Sequence, residues 1–151
     1  MSEILWFAGI IGVTYIGIKF LLFRGRMIAA RSAYTNPEAL PQWQESGEFN
    51  QEVAGESFYE IQIKKVVEKV GLDASCTAVL ELEENNEHDK NAVAVIIEGY
   101  QVGYLPRAKA KKFRNGCRIR NIQQYSACKA KLFGGTKSRP NIGVWLDLPK
   151  L

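Results

Sequence analysis

From Ser57 onward the chain is a succession of short apolar runs in which hydrophobic and polar side chains alternate, the period-two pattern of strands with one buried face. In SFYEIQIKKVV (57–67), Phe58, Glu60, Gln62 and Lys64 alternate with Tyr59, Ile61, Ile63 and Lys65, which predicts a strand with Phe58 and Tyr59 on opposite faces. TAVLELE (77–83), NAVAVII (91–97), GYQVGYL (99–105), QYSACKAKLFGG (124–135) and NIGVWLDL (141–148) predict five more. Glu98-Gly99 suits a tight turn, and Gly134-Gly135-Thr136-Lys137 reads as a hairpin turn. PRAKAKKFRNG (106–116) departs from the pattern. Pro106 suits the first turn of a helix, Gly116 its end, and the Ala, Lys and Arg between them favour helix. Between Val66 and Cys76 a short helix or a loop fits, with a break at Gly71. The set predicts a mainly β fold, a small barrel or sandwich with one or two short helices.

The first segment has a different pattern. Residues 4–23, ILWFAGIIGVTYIGIKFLLF, form a 20-residue apolar run whose one charge is Lys19. A helix of this length spans about 30 Å, a bilayer core, and the run has no polar face of the kind a core helix shows. No basic residue precedes it, unlike a signal peptide. Lys19, Arg24, Arg26 and Arg31 lie at or beyond its C-terminal end, which predicts a single-pass membrane anchor with the rest of the chain in the cytoplasm. Residues 24–51 then read as a basic juxtamembrane segment and linker interrupted by Pro37 and Pro41, and 52–151 as the folded domain. Tyr34 and Trp43 suit either the membrane interface or packing against that domain.

Composition narrows the chemistry. The three cysteines, Cys76, Cys117 and Cys128, cannot all pair, which argues against a disulfide framework. With one histidine and no close cysteine pair, a structural zinc site is not expected, and no other cofactor is. There is no G-x-S-x-G, G-x-x-x-x-G-K-[ST] or H-E-x-x-H. Charge is segregated. Residues 33–98 carry four basic and fourteen acidic side chains, whereas 99–146 carry eleven basic and none acidic, a candidate phosphate-binding face. ELEENNEHDKNAVAV (81–95) interrupts two strand patterns with a charged loop far longer than a hairpin needs. Its Glu83, Glu84, Glu87, His88 and Asp89 could hold a divalent metal for hydrolysis, but their spacing matches no metal loop. Aromatic residues Phe58, Tyr59, Tyr104 and Phe133, with Arg107 and Lys131 close to two of them, suit base stacking with phosphate contacts.

Taken together, VAGESFYE (53–60), EENNEHDKNAVAV (83–95), QVGYLPR (101–107) and LFGG (132–135) resemble the HIRAN domain in their order and spacing. The resemblance covers roughly 100 residues. It implies a small β-barrel related to OB and SH3 barrels and a non-catalytic module that captures the free 3′ end of single-stranded DNA. Asp89 would accept a hydrogen bond from the 3′-hydroxyl, Phe58 and Phe133 would stack on bases, Arg107 would meet a phosphate, and Asn91 would fix the loop through its backbone. The expected contact set is Phe58, Tyr59, His88, Asp89, Tyr104, Arg107, Lys131, Phe133 and Lys137. Three positions depart from the end-binding members: His88 replaces a tyrosine, Ser57 an arginine and Tyr104 a histidine. The alternatives are an SH3-like module that docks a protein partner at the membrane, and a metal-dependent nuclease.

Overall fold

A computed structural model describes residues 32–150, and their compact unit begins at Ala33. The apolar run at 4–23 lies outside the described residues; among those described, no helix is long and apolar enough to cross a membrane. The chain forms strand β1 (Gln51–Glu52), helix α1 (Glu60–Val70), β2 (Ser75–Leu82), β3 (Val93–Ile97), β4 (Tyr100–Tyr104), helix α2 (Arg107–Ile119), β5 (Tyr125–Gly134) and β6 (Ile142–Leu146). Single turns of 3₁₀ helix occupy Pro37–Ala39 and Glu56–Phe58.

The six strands make one antiparallel sheet in the order β1-β6-β5-β2-β3-β4. The sheet curls until its edges meet. Just past β1, Ala54 N–H donates to the Tyr104 carbonyl at 2.8 Å, and Tyr104 N–H donates back to Ala54 at 2.9 Å. A register shift between Val95 and Ile96 bends the β3–β4 ribbon. Glu98 (φ 53°) and Gly99 (φ 79°) turn it, both in the left-handed region a two-residue hairpin requires. Gly103 sits where the edges meet, at φ 150°. A Cβ there would lie 2.5 Å from Val53 Cγ1 and 2.6 Å from the Ala54 carbonyl oxygen, so only glycine lets the backbones approach.

All five residues of β3 are buried because both its faces are covered. Val93, Val95 and Ile97 enter the main core with Leu80, Val102 and Leu132, beneath Ile63 and Val66 of α1 and Ala110, Phe113 and Cys117 of α2. Ala94 and Ile96 join Val79 in a smaller cluster on the other face, against which Tyr34, Leu40, Tyr104 and Tyr125 pack. Residues 33–47 are therefore joined to the sheet. Trp43 N–H donates to Ala127 O at 2.9 Å, and its buried indole donates to Ser126 Oγ at 3.0 Å. The ring meets Phe113 at 4.8 Å and lies under the Arg120 guanidinium. Of the two placements open to Trp43, packing against the domain is the one observed.

Two expectations are corrected. Residues 57–67 are not a strand: a 3₁₀ turn leads into α1. The buried positions Ile63 and Val66, with the half-buried Tyr59, Val67 and Val70, recur at helical spacing, whereas Ile61 is exposed. The alternation of Tyr59, Ile61 and Ile63 imitated a strand because Ile61 is apolar without being core. Gly116 does not end α2, which continues to Ile119. It lies under Trp43, where a Cβ would come within 3.2 Å of the indole. Asn121, at φ 56°, follows the helix end instead. Gly71 does end α1, its N–H donating to Val67 O.

The buried Asp147 fastens the N-terminal segment. Its carboxylate accepts the Ser46 N–H at 2.9 Å, the Ser46 hydroxyl at 2.5 Å and the Gly47 N–H at 2.7 Å. Burial alone would raise its pKa, but these donors outweigh burial and lower it. The stabilisation is therefore present at neutral pH, above the unfolded carboxylate range, and lost as pH falls through the depressed folded value. Asp147→Asn is expected to cost roughly 1.5–3 kcal/mol in urea unfolding at pH 7 and to flatten the acid limb of stability. Gly103→Ala, which adds strain and overpacking at the closure, is expected to cost roughly 2–4 kcal/mol in the same assay. Wild-type stability in Gly103→Ala would refute the closure as described.

Candidate functional site

The charged loop between β2 and β3 is built from its own side chains. Glu83 N–H donates to Ala92 O at 3.1 Å, which extends the ladder by one pair, and Ala92 N–H donates to Asp89 O at 2.9 Å. Asn86 organises the turn: its Oδ1 accepts the amides of His88 (2.9 Å) and Asp89 (2.8 Å), and its Nδ2 donates to Glu83 Oε2 at 2.6 Å. Asp89 Oδ1 accepts the Asn91 N–H at 2.8 Å, the backbone role expected of Asn91. From α2, Arg114 donates from one terminal nitrogen to both Glu83 O and Ala92 O, the two ends of the loop. The fixed guanidinium fork clamps the loop mouth to the helix.

Facing this loop is the turn that follows the sheet closure. Gly55, at φ 82°, starts the 3₁₀ turn, whose amides at Phe58 and Tyr59 donate to Gly55 O and Glu56 O. The Glu56 carboxylate reaches across to accept the Val144 N–H of β6 at 2.6 Å. Burial pushes the Glu56 carboxyl up, opposed by that amide. The Phe58 side chain points outward and is 86% exposed, whereas Tyr59 is half-buried with its ring 6.3 Å from that of Tyr104. Burial, and then the Tyr104 hydroxyl, push the Tyr59 phenol up to about 12. Tyr104 in turn donates to Glu83 Oε1 at 3.3 Å. The two tyrosines share a polar floor with the base of the loop.

Loop and turn enclose a cavity of about 430 Å³ lined by Phe58, Tyr59, His88, Asp89, Tyr104 and Arg107 together with Ala54, Gly55, Asn86, Ala92 and Leu105. Six of the nine residues singled out from sequence thus converge. Arg107, the first residue of α2, closes one side: its Nε lies 3.4 Å from Asp89 Oδ2, and a terminal nitrogen donates to His88 O at 3.4 Å. Its side chain is largely exposed, so the pair is weak and open to exchange. Phe133 lines an adjoining cavity of about 580 Å³ with Ser57, Lys64, Arg139 and Trp145, and the two cavities share Gly55. Lys131 and Lys137 line neither. Lys131 lies over the Phe49 ring at 4.6 Å, and Lys137 is exposed in the β5–β6 hairpin, between Thr136 and Arg139, whose backbones exchange hydrogen bonds.

Three contributors escaped the sequence reading. Asn86 carried a usable signal, because an Asn two or three residues before His88 and Asp89 is placed to cap their amides. Glu56 and Arg114 act across 88 residues and up to 31 residues of sequence, which spacing cannot show. Among the described residues, no group of three His, Cys, Asp or Glu side chains could hold a metal ion. Within the loop, Glu83 Oε2 and Asp89 Oδ1 each accept one hydrogen bond that holds its shape.

Comparison with known proteins gives one finding. A family model described as HIRAN domain matches residues 46–128, just over half of the chain and all of the first cavity. No curated protein and no solved structure matches.

Arg114→Ala is expected to free the loop mouth. Amide hydrogen exchange across residues 84–91 should accelerate at least tenfold and stability should fall by roughly 2–3 kcal/mol, since two part-buried carbonyls lose the charged donor they share. Unchanged exchange in this loop would show that Arg114 does not hold it.

Proposed function

This chain belongs to the HIRAN domain family, and from that premise we propose that it is a non-catalytic nucleic-acid-binding module whose cavity takes the terminal nucleotide of single-stranded DNA. The observation that supports this most is the convergence of an exposed aromatic (Phe58), a fixed carboxylate (Asp89) and an exposed cation (Arg107) on one cavity. Each answers a part of a nucleotide: the base face, a sugar hydroxyl and a phosphate. Asp89 Oδ1 is occupied by the Asn91 amide, while among the described residues Oδ2 meets the loosely held Arg107. A 3′-hydroxyl can donate to Oδ2 while Arg107 turns to the preceding phosphate. A 3′-phosphate would instead bring two anions together, so the site favours a free end. The adjoining cavity beyond Gly55 offers Phe133 to the next base.

The apolar run at 4–23 supports tethering of this module to a membrane, with the domain on the cytoplasmic side. Microscopy of a fluorescent fusion should show a peripheral signal, and a diffuse one would remove the anchor from the proposal.

Fluorescence anisotropy with a single strand ending in a 3′-hydroxyl, the same strand ending in a 3′-phosphate, and a blunt duplex tests the binding mode. The free hydroxyl should bind tightest, Asp89→Ala should abolish that preference, and Phe58→Ala should cost roughly 1–3 kcal/mol of affinity. Equal binding of all three probes would leave a basic surface without an end pocket. No binding at moderate salt would favour a protein partner instead.

A further inference from the structure

The rim of the cavity is also the start of a helix, and the basic residues of that helix form a line. At 100° per residue, Arg107, Lys111 and Arg118 fall within about 40° of one another and stretch about 16 Å along the axis of α2. All three are exposed. Among the described residues, neither Lys111 nor Arg118 has an ion-pair partner, and no carboxylate occurs anywhere from 99 to 146 to neutralise them. Arg114 lies on the same line, but its guanidinium is turned to the loop carbonyls, so it fixes the helix against the cavity wall. At the far end, Arg118 opens onto a cavity of about 340 Å³ that it shares with Arg114, Asn115, Asn121 and Gln123 and with the apolar Leu82 and Ile122, none of them acidic.

We propose that α2 is a phosphate track, holding the anionic backbone of the nucleic acid beyond the end captured in the cavity. The proposal rests on the nucleic-acid reading above and extends it from one nucleotide to a length of backbone. Two features favour this occupant: the succession of basic residues with no acidic one between 99 and 146, and the continuity of the line with Arg107 at the rim. A stacked strand carries a charge about every 3.4 Å, so a track of this length spans about five phosphates. That backbone could belong to the captured strand or to its complement.

The test is anisotropy on the full chain with Lys111→Gln/Arg118→Gln, both exposed positions outside the cavity. The probes are a three-nucleotide strand, a twelve-nucleotide strand, and a duplex with a three-nucleotide 3′ overhang. The variant should bind the shortest probe as wild type does. It should lose about tenfold on a longer probe, with a log–log salt slope shallower by about 1.4 for the strand or about 1.8 for the duplex. Loss on the twelve-nucleotide strand assigns the track to the same strand, and loss on the overhang duplex alone assigns it to the complement. An equal loss on all three probes, or no loss on either longer one, overturns the proposal. Binding to phosphatidylserine vesicles that falls in the variant, with oligonucleotide affinities unchanged, overturns it in favour of a membrane contact. Wild-type chain that binds the three-nucleotide probe but gains nothing with length sinks the track alone. Wild-type chain that binds no probe sinks the end-capture reading with it.

Discussion

The exchange of hydrogen bonds between Ala54 and Tyr104 is the contact on which the site depends. It joins the two edges of a six-stranded sheet, and the residues on either side of it supply the cavity. Gly55 and Phe58 follow Ala54, while Arg107 follows Tyr104. Such a bridge requires two backbones at sheet spacing with no side chain between them, which is why Gly103 stands beside it. Closure thus brings the turn at residues 55–58 opposite a loop that lies thirty residues further along the chain.

The second constraint is the finish of that loop. A stretch as polar as residues 83–92 would ordinarily be mobile surface. Here Asn86 satisfies two amides, Asp89 one, and Arg114 both carbonyls at the mouth. With the amides of His88, Asp89 and Asn91 and the carbonyls at its mouth already paired, the loop can present His88 and Asp89 with little reorganisation, which lowers the entropic cost of holding a ligand. The loop is therefore longer and more charged than a hairpin because it is a wall.

Much of the sheet was legible because short apolar runs are parted by polar turns, and because alternation is regular where one face is wet, as from Cys128 to Phe133 of β5. The mainly β class followed from those strands. Helix α1 was not legible: Ile61, exposed at its surface, completed a false alternation with Tyr59 and Ile63. The end of α2 was misjudged because glycine commonly follows a helix, whereas Gly116 is small to admit Trp43. At the site, the residue types that line the cavity were recoverable, since aromatics, Asp and Arg sit in recognisable runs. Lys131, singled out for its nearness to Phe133, and Lys137, singled out for its charge, line neither cavity. The supports, Glu56 and Arg114, were hidden because their partners are backbone groups distant in sequence.

The arrangement of β1 and β6 separates a recognisable region from a foldable one. β1 is paired with β6, and β6 with the second half of β5; both β6 and that half of β5 lie beyond residue 128. Trp43, which fills the core beside Phe113, lies before residue 46. A fragment trimmed to 46–128 would keep the motif but bare one flank of β2 where the second half of β5 belongs. It would also uncover Phe113 and leave β1 without its ladder. Exposed strand edges of this kind recruit other chains, so such a fragment would be an aggregation-prone piece of a barrel.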